Sequence, residues 1–310
     1  LNINKTLSFK VGTALESSRP RTAEVDKTYW ILQPYLDFNI AAHQMLDIKV
    51  KYRADSEYPS IRQVTPFTQV LDQYSIEKGN PELRPDLTHT VSARFRIMQG
   101  LLSIEPYFGY SNNRINRVAN LLDNNQIEYS YDNVGQFMSQ GIKGDFTIPL
   151  FKQSLIIKND FDFFAQSISY LDRKNSIRDW TMNTQLLYIG KKYHTVGGLI
   201  YQKGLKKVIN AQGYDYYNND FWLTFIQQPL FKNTLTVMVG YILPVDFLAK
   251  YQQGNYTDTG MYTSSSMYNI TMLKNMMLVN ITWRFNKGNS VRNLTKEVKK
   301  EEERQAKKIF

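Results

Sequence analysis

Cysteine is missing altogether, so the 310 residues can hold no disulfide framework, thiolate metal site or cysteine nucleophile. Histidine is nearly missing. His43, His89 and His194 are the full set, none at a metal-ligand spacing from another, and they read as turn or wall residues. No serine is framed by a nucleophile-elbow pattern, so a hydrolase has no motif here. Long apolar runs are absent too: Leu186-Leu187-Tyr188-Ile189 falls far short of the roughly 20 residues a spanning helix needs. The amino terminus, Leu1-Asn2-Ile3-Asn4-Lys5, has no initiator Met, basic n-region or apolar h-region, which predicts either a removed signal peptide or a fragment.

What is abundant is aromatic: Tyr 21, Phe 17 and Trp 4 amount to 14% of the chain. Mean hydropathy is −0.43, which a closed membrane barrel tolerates because only alternate residues of each strand need to be apolar. The formal charge is +10, of which Asn286 to Phe310 carries +4 (eight Lys/Arg against four Asp/Glu). The basic residues are interleaved with acids rather than aromatics, so no nucleic-acid partner is expected.

The strongest signal is two-residue periodicity, repeated many times. Val91, Ala93, Phe95 and Ile97 oppose Ser92, Arg94 and Arg96; after Gln99-Gly100 the pattern resumes with Leu102, Ile104, Pro106 and Phe108, which is a hairpin. The same alternation runs through Leu32 to Ile40, Leu46 to Tyr52, Leu155 to Phe163 (broken on its apolar face by Asn159) and Met277 to Phe285. Charged residues, including Lys49, Lys51, Asp160 and Asp162, recur on the polar face and read as wall lining rather than as paired acid–base groups.

A soluble sandwich also alternates, but its strands run to about five or six residues, whereas these run to roughly nine or more, the length of a tilted bilayer crossing. Connections differ by end. One set is tight, near residues 42–44, 99–100, 154, 191–192 and 233; the other is long and rich in Asn, Asp, Tyr and Ser. One tight turn nearly repeats, as Pro149-Leu150-Phe151-Lys152-Gln153-Ser154-Leu155 and Pro229-Leu230-Phe231-Lys232-Asn233-Thr234-Leu235. These features predict an all-β fold: a transmembrane antiparallel up-and-down β-barrel with about twelve strands present. Residues 1–285 would be barrel strands and loops, and 286–310 a polar charged periplasmic tail. Tyr52, Trp180, Tyr188, Trp222, Trp283 and Phe285 would be girdle aromatics at strand ends.

Two segments carry a family resemblance. Tyr58-Pro59-Ser60, Thr65-Pro66-Phe67 and then Gly79-Asn80-Pro81-Glu82-Leu83-Arg84-Pro85-Asp86 resemble the outer loop of TonB-dependent outer-membrane receptors, which ends in Gly-Asn-Pro-x-Leu-Lys/Arg-Pro-Glu before a descending strand. Asp86 stands where Glu is usual. The alternating Met277, Val279, Ile281, Trp283 and Phe285 look like that family's last barrel strand, whose aromatic end is implicated in recognition by the barrel-assembly machinery. The resemblance implies the carboxy-terminal part of a larger barrel of about 22 strands. It further implies outer-membrane lipid around the wall, a TonB complex reached through an amino-terminal part, and a possible surface lipoprotein. No cofactor, metal or catalytic residue is expected. The alternatives are a complete small pore or exporter without energy coupling, a barrel-embedded hydrolase, and an adhesive or structural barrel.

Overall fold

The computed structural model describes residues 7–22, 24–43, 45–231, 233–243, 251–269 and 275–285. In chain order the first strands are β1 (Leu7–Ser18), β2 (Tyr29–His43), β3 (Leu46–Glu57), β4 (Thr68–Asp72), β5 (Ser75–Lys78), β6 (Asp86–Ile97) and β7 (Leu102–Ser111). Next come β8 (Arg114–Leu121), β9 (Ile127–Val134), β10 (Phe137–Leu150), β11 (Leu155–Tyr170), β12 (Arg173–Gly190) and β13 (Thr195–Lys203). The last are β14 (Lys207–Asn210), β15 (Gly213–Asn219), β16 (Phe221–Leu230), β17 (Leu235–Ile242), β18 (Tyr251–Asp258), β19 (Thr263–Asn269) and β20 (Met277–Trp283). One short helix, α1 (Ile61–Val64), precedes β4. No described helix is long and apolar enough to cross a membrane.

Twelve strands form one antiparallel sheet in the order β1-β2-β3-β6-β7-β10-β11-β12-β13-β16-β17-β20, and among the described residues its two end strands do not pair with each other. Register settles which side chains share a face, because Cα partners across an antiparallel pair point the same way. Val11, Leu36, Tyr52, Val91 and Phe108 are successive partners. So are Ile142, Phe163 and Trp180, and again Ile226, Val239 and Val279. The apolar face is therefore continuous across the wall. Behind it, Lys10, Asp37, Lys51 and Ser92 make one polar rung, and Glu105, Lys143, Asp162 and Thr181 another. A one-residue slip in any pair would turn these charges outward, so the pattern itself fixes the register.

The repeated turn closes β10–β11 and β16–β17 with matching backbone: φ is 49° at Phe151 and at Phe231, and 69° at Gln153 and at Asn233. Both lie at the tight end, with the turns after β2, β6 and β12. At the other end one expectation is corrected: β11 and β12 join through only Leu171 and Asp172. Their projection comes from strand length, 16 and 18 residues, and this also puts Trp180 in mid-strand rather than at a strand end. Tyr52 is likewise mid-strand. The remaining long connections build two small sheets, β4-β5-β9-β8 and β14-β15-β18-β19, the first containing a parallel β5–β9 pair.

The largest buried apolar cluster joins wall to loops. Phe137, Phe164, Ile168 and Ile177 lie on the inner face of β10, β11 and β12, and Val118, Val134, Ile209 and Ala211 from the two loop sheets pack on them. The loops thus fold back over the inside of the wall.

Candidate functional site at the outer mouth

Below the loops the inner wall is densely charged. Arg94 donates to Asp145 at 2.6 Å and to Ser103 at 2.9 Å, and Ser103 donates to the same Asp145 oxygen at 2.8 Å. Glu105 lies 3.9 Å from Arg94, Lys143 sits over the Tyr107 ring at 4.8 Å, and Tyr107 donates to Asp162 at 3.1 Å. With Asp160, all of these but Tyr107 line a cavity of about 560 Å³. Three cations, Arg94, Lys143 and Lys203, face four carboxylates here, so the cavity lining is net acidic by one charge. Across the sheet, Arg53 donates to both Asp37 oxygens at 2.8 and 2.9 Å. Of the residues read as wall lining, Asp162 is held by Tyr107, Asp160 lines the same cavity, and Lys49 and Lys51 share the inner face of β3.

Above this wall, Gly79 to Asp86 acts as a clamp between loops. A Cβ at Gly79 would lie 2.2 Å from the Thr65 carbonyl oxygen and 2.9 Å from those of Arg62 and Gln63, so only glycine lets the chain approach α1 this closely. Asn80 donates its amide N–H to Gln63 at 2.7 Å and its side chain to the Tyr131 carbonyl at 2.9 Å. Pro81 opens a turn, and Leu83 is 1% exposed, packed with Val25 and Val64. Arg84 and Asn133 exchange hydrogen bonds at 2.8 Å, Arg84 N–H to the side-chain oxygen and the side-chain amide to the Arg84 carbonyl. Pro85 then ends the loop, and buried Asp86 starts β6 while accepting from Ser111 and Thr88.

Sequence reasoning passed over the centre of this clamp, Glu77. It is 6% exposed and accepts from Arg62 at 2.7 Å, from Arg117 at 3.1 and 2.8 Å, and from Tyr131 at 3.2 Å. Burial pushes its carboxyl pKa up, but Arg117 and then Arg62 more than offset this, and the net direction is down. Nothing in Ser75-Ile76-Glu77-Lys78 announces such a node, because the partners lie 15, 40 and 54 residues away. Arg114 is a second omission. It stands 3.9 Å over the Phe137 ring, lines a cavity of about 400 Å³ between the two loop sheets, and its guanidinium has no hydrogen-bonded acceptor among the described residues. Burial pulls its pKa down while Asp86 and Glu57 act the other way, and a guanidinium stays charged under either influence.

The terminal strand crosses the wall from Met277 at the loop end to Trp283 at the tight-turn end. Met277, Val279, Ile281 and Trp283 pair with Tyr241, Val239, Val237 and Leu235 and are all exposed on the apolar face. Phe285, beyond the strand, stacks on Trp283 with centroids 5.2 Å apart. His89 donates to or accepts from the Tyr52 hydroxyl at 2.8 Å, and His194 occupies a tight turn at φ 54°. Among the described residues no three His, Cys, Asp or Glu side chains are grouped to hold a metal. The segment 286–310 lies outside the described residues.

With this geometry in place, comparison with known proteins is decisive for family. A family model described as outer membrane protein beta-barrel family matches residues 2–289. The chain belongs to that family. It is an outer-membrane β-barrel protein, and its apolar face is the lipid-facing one. Solved structures with a similar fold include the siderophore receptor PirA from Pseudomonas aeruginosa, at TM-score 0.58 and 12% identity, covering 86% of this chain and 46% of that one. The ferric enterobactin receptor PfeA aligns at TM-score 0.53 and 14% identity, covering 78% and 38%. The FrpB iron transporter from Neisseria meningitidis aligns at TM-score 0.56 and 12% identity, covering 91% and 42%. This barrel chain thus spans less than half the length of each of those three. No curated protein matches it.

Proposed function

We propose that this barrel is wall and outer mouth of a TonB-dependent receptor that imports a scarce nutrient across the outer membrane. The observation that carries the reading is the inward fold of the loops. They pack on the inner wall through Val118, Val134, Ile209 and Ala211 and cover a charged lumen, which is an arrangement for capturing a solute rather than for leaving a channel open. The similarity of the fold to receptors described as binding siderophores and ferric enterobactin supports the same reading. An iron chelate is the first ligand class to test. Energy would come from a TonB complex, through a plug and a periplasmic segment of the kind the resemblance implies. The free edges of β1 and β20 would pair with further strands, since lipid tolerates no unpaired strand edge. Gly79 to Asp86 would clamp the mouth, and Met277 to Phe285 would address the barrel-assembly machinery.

The test is uptake by cells carrying the full-length gene product, using radiolabelled ferric chelates, cobalamin and oligosaccharides. Deleting the β8–β9 hairpin should abolish uptake of one of these while the barrel still inserts, and collapsing the proton-motive force should abolish it in the parent. Uptake indifferent to both would overturn the proposal. Uptake that needs the hairpin but not the proton-motive force would establish the second reading, a closed twelve-strand pore, which the even number of wall strands favours.

A further inference from the structure

The lipid-facing side of β10, β11 and β12 carries a shallow concavity of about 700 Å³. Its apolar part is the rung Ile142, Phe163 and Trp180, with the Phe163 and Trp180 rings stacked at 6.0 Å. The next rung toward the loops is Gln140, Ala165 and Arg178, which also lines it. Along β12, residues 174, 176, 178 and 180 are exposed, while Asn175, Ile177 and Asp179 are buried or half-buried. Lys174, Ser176, Arg178 and Trp180 therefore form one outward-facing row.

Height and charge decide what this row meets. From Trp180 to Gly190 the strand runs about 34 Å, or about 24 Å of depth at a tilt of about 45°, close to the apolar band of about 25 Å in such barrels. Trp180 then lies at the outer interface, and Arg178 and Lys174 stand at headgroup level above it. Neither cation has a hydrogen-bond or ion-pair partner among the described residues. The outward-facing positions of these three strands hold no acid; Asp179, on the inner parity, reaches the lining of the concavity, but its carboxylate is taken up by Lys203 and by the Lys206 and Lys207 amides. Two uncompensated cations over an aromatic groove at a membrane interface call for an anion that also has a hydrocarbon part.

We propose that this concavity binds a phosphorylated lipid of the outer leaflet. An acyl chain lies along Ile142, Phe163 and Trp180. The phosphate accepts a two-pronged pair of hydrogen bonds from Arg178, and Lys174 adds a point charge. The groove continues the surface that already faces lipid, which is why the occupant is a membrane lipid rather than a soluble anion.

The experiment uses the full-length gene product, folded in detergent, and native mass spectrometry with three probes: diphosphoryl lipid A, the same lipid stripped of its phosphates, and inorganic phosphate. The parent should bind the phosphorylated lipid about tenfold or more tightly than the stripped form, the scale of a charge-assisted hydrogen-bond pair. Arg178→Gln with Lys174→Gln should erase that preference, Arg178→Lys should leave part of it, and Lys191→Gln at the tight-turn end should leave all of it. The parent comparison needs no variant, so a misfolded variant leaves it decisive. Equal binding of both lipids by the parent, or full preference in the folded double variant, would overturn the proposal. Displacement of the lipid by inorganic phosphate at equal concentration would also overturn it, in favour of a soluble-anion site.

Discussion

Replacing Glu77 with Ala removes one side chain that three loop segments share. Four hydrogen bonds disappear, two from Arg117, one from Arg62 and one from Tyr131. Hydrogen bonds to charged groups are worth about 1.5–3 kcal/mol each on truncation, but the arginines are 66% and 44% exposed and recover water, and Glu77's own desolvation is returned. The net loss should be about 2–3 kcal/mol in loop docking, a roughly 30- to 160-fold fall in amide protection across β5, β8 and β9. The wall, which shares none of these bonds, should keep its protection. The reverse change is harsher: Arg62→Ala with Arg117→Ala strands a carboxylate that is 6% exposed, for about 3–5 kcal/mol. Hydrogen exchange on the folded barrel reads both. Protection in Glu77→Ala within twofold of the parent, or a double-arginine variant milder than Glu77→Ala, would refute the reasoning. The same node sets a pH dependence. Glu77's carboxyl is held below its unfolded value of about 4.3, so its contribution is complete above that pH and is lost as acid carries the medium down through the folded pKa. Loop protection should be flat near neutrality and fall below about pH 4.

Gly79→Ala places a Cβ against three backbone carbonyl oxygens that no rotamer change can move, so it should release the clamp at least as fully as Glu77→Ala, seen as new proteolytic cleavage between residues 58 and 86. On the lipid face, Thr184→Val leaves the Asn159 amide without its 2.6 Å acceptor and should lower thermal stability by about 1–3 kcal/mol, whereas adding Asn159→Leu should restore most of it; heat-modified gel mobility follows both. Arg173→Ala opens the exposed pairing with Asp258 that joins the β11–β12 tip to β18; wall stability should hold, and the change in loop exchange should vanish in high salt.

Much of the wall was legible because its two solvents impose a strict rule. With lipid on one side and water on the other, each crossing strand must alternate, and alternation is visible in Val91 to Ile97 without any partner strand. Asn159 stood out as a break for the same reason. Its remedy, Thr184 on the next strand, did not, since a cross-strand partner has no fixed sequence offset. The loops obey no such period. Ser75 to Lys78 is a strand held between β4, antiparallel on one side, and β9, parallel on the other, with Glu77 anchoring arginines from α1 and β8. Gly79 to Asp86 was readable as a motif because glycine and proline act on their own backbone, yet its attachment to Asn133 and Tyr131 came only with the fold. The β11–β12 tip was misjudged for a related reason: polar residues such as Arg173, Lys174 and Asn175 look like loop but continue the strands above the membrane.

The two faces also explain why the mouth is held from within. On the lipid side, burying an apolar side chain gains little, since acyl chains are as apolar as leucine, and polar atoms must find lateral partners, as Asn159 does in Thr184 and Tyr52 in His89. Only on the water side does apolar burial drive association, at about 25 cal/mol per Å². Loops that must stay near a barrel mouth therefore dock inward, and Val134 and Ile168, both 0% exposed, mark where that docking is tightest. Opening the mouth means returning this cluster to water and breaking the bonds at Glu77, whereas a solute that adds contacts between the two loop sheets near Arg114 strengthens the closed arrangement. On the proposed receptor reading, capture would be favoured by the same burial that positions the loops, and release would be driven by something acting on the inner wall beneath them.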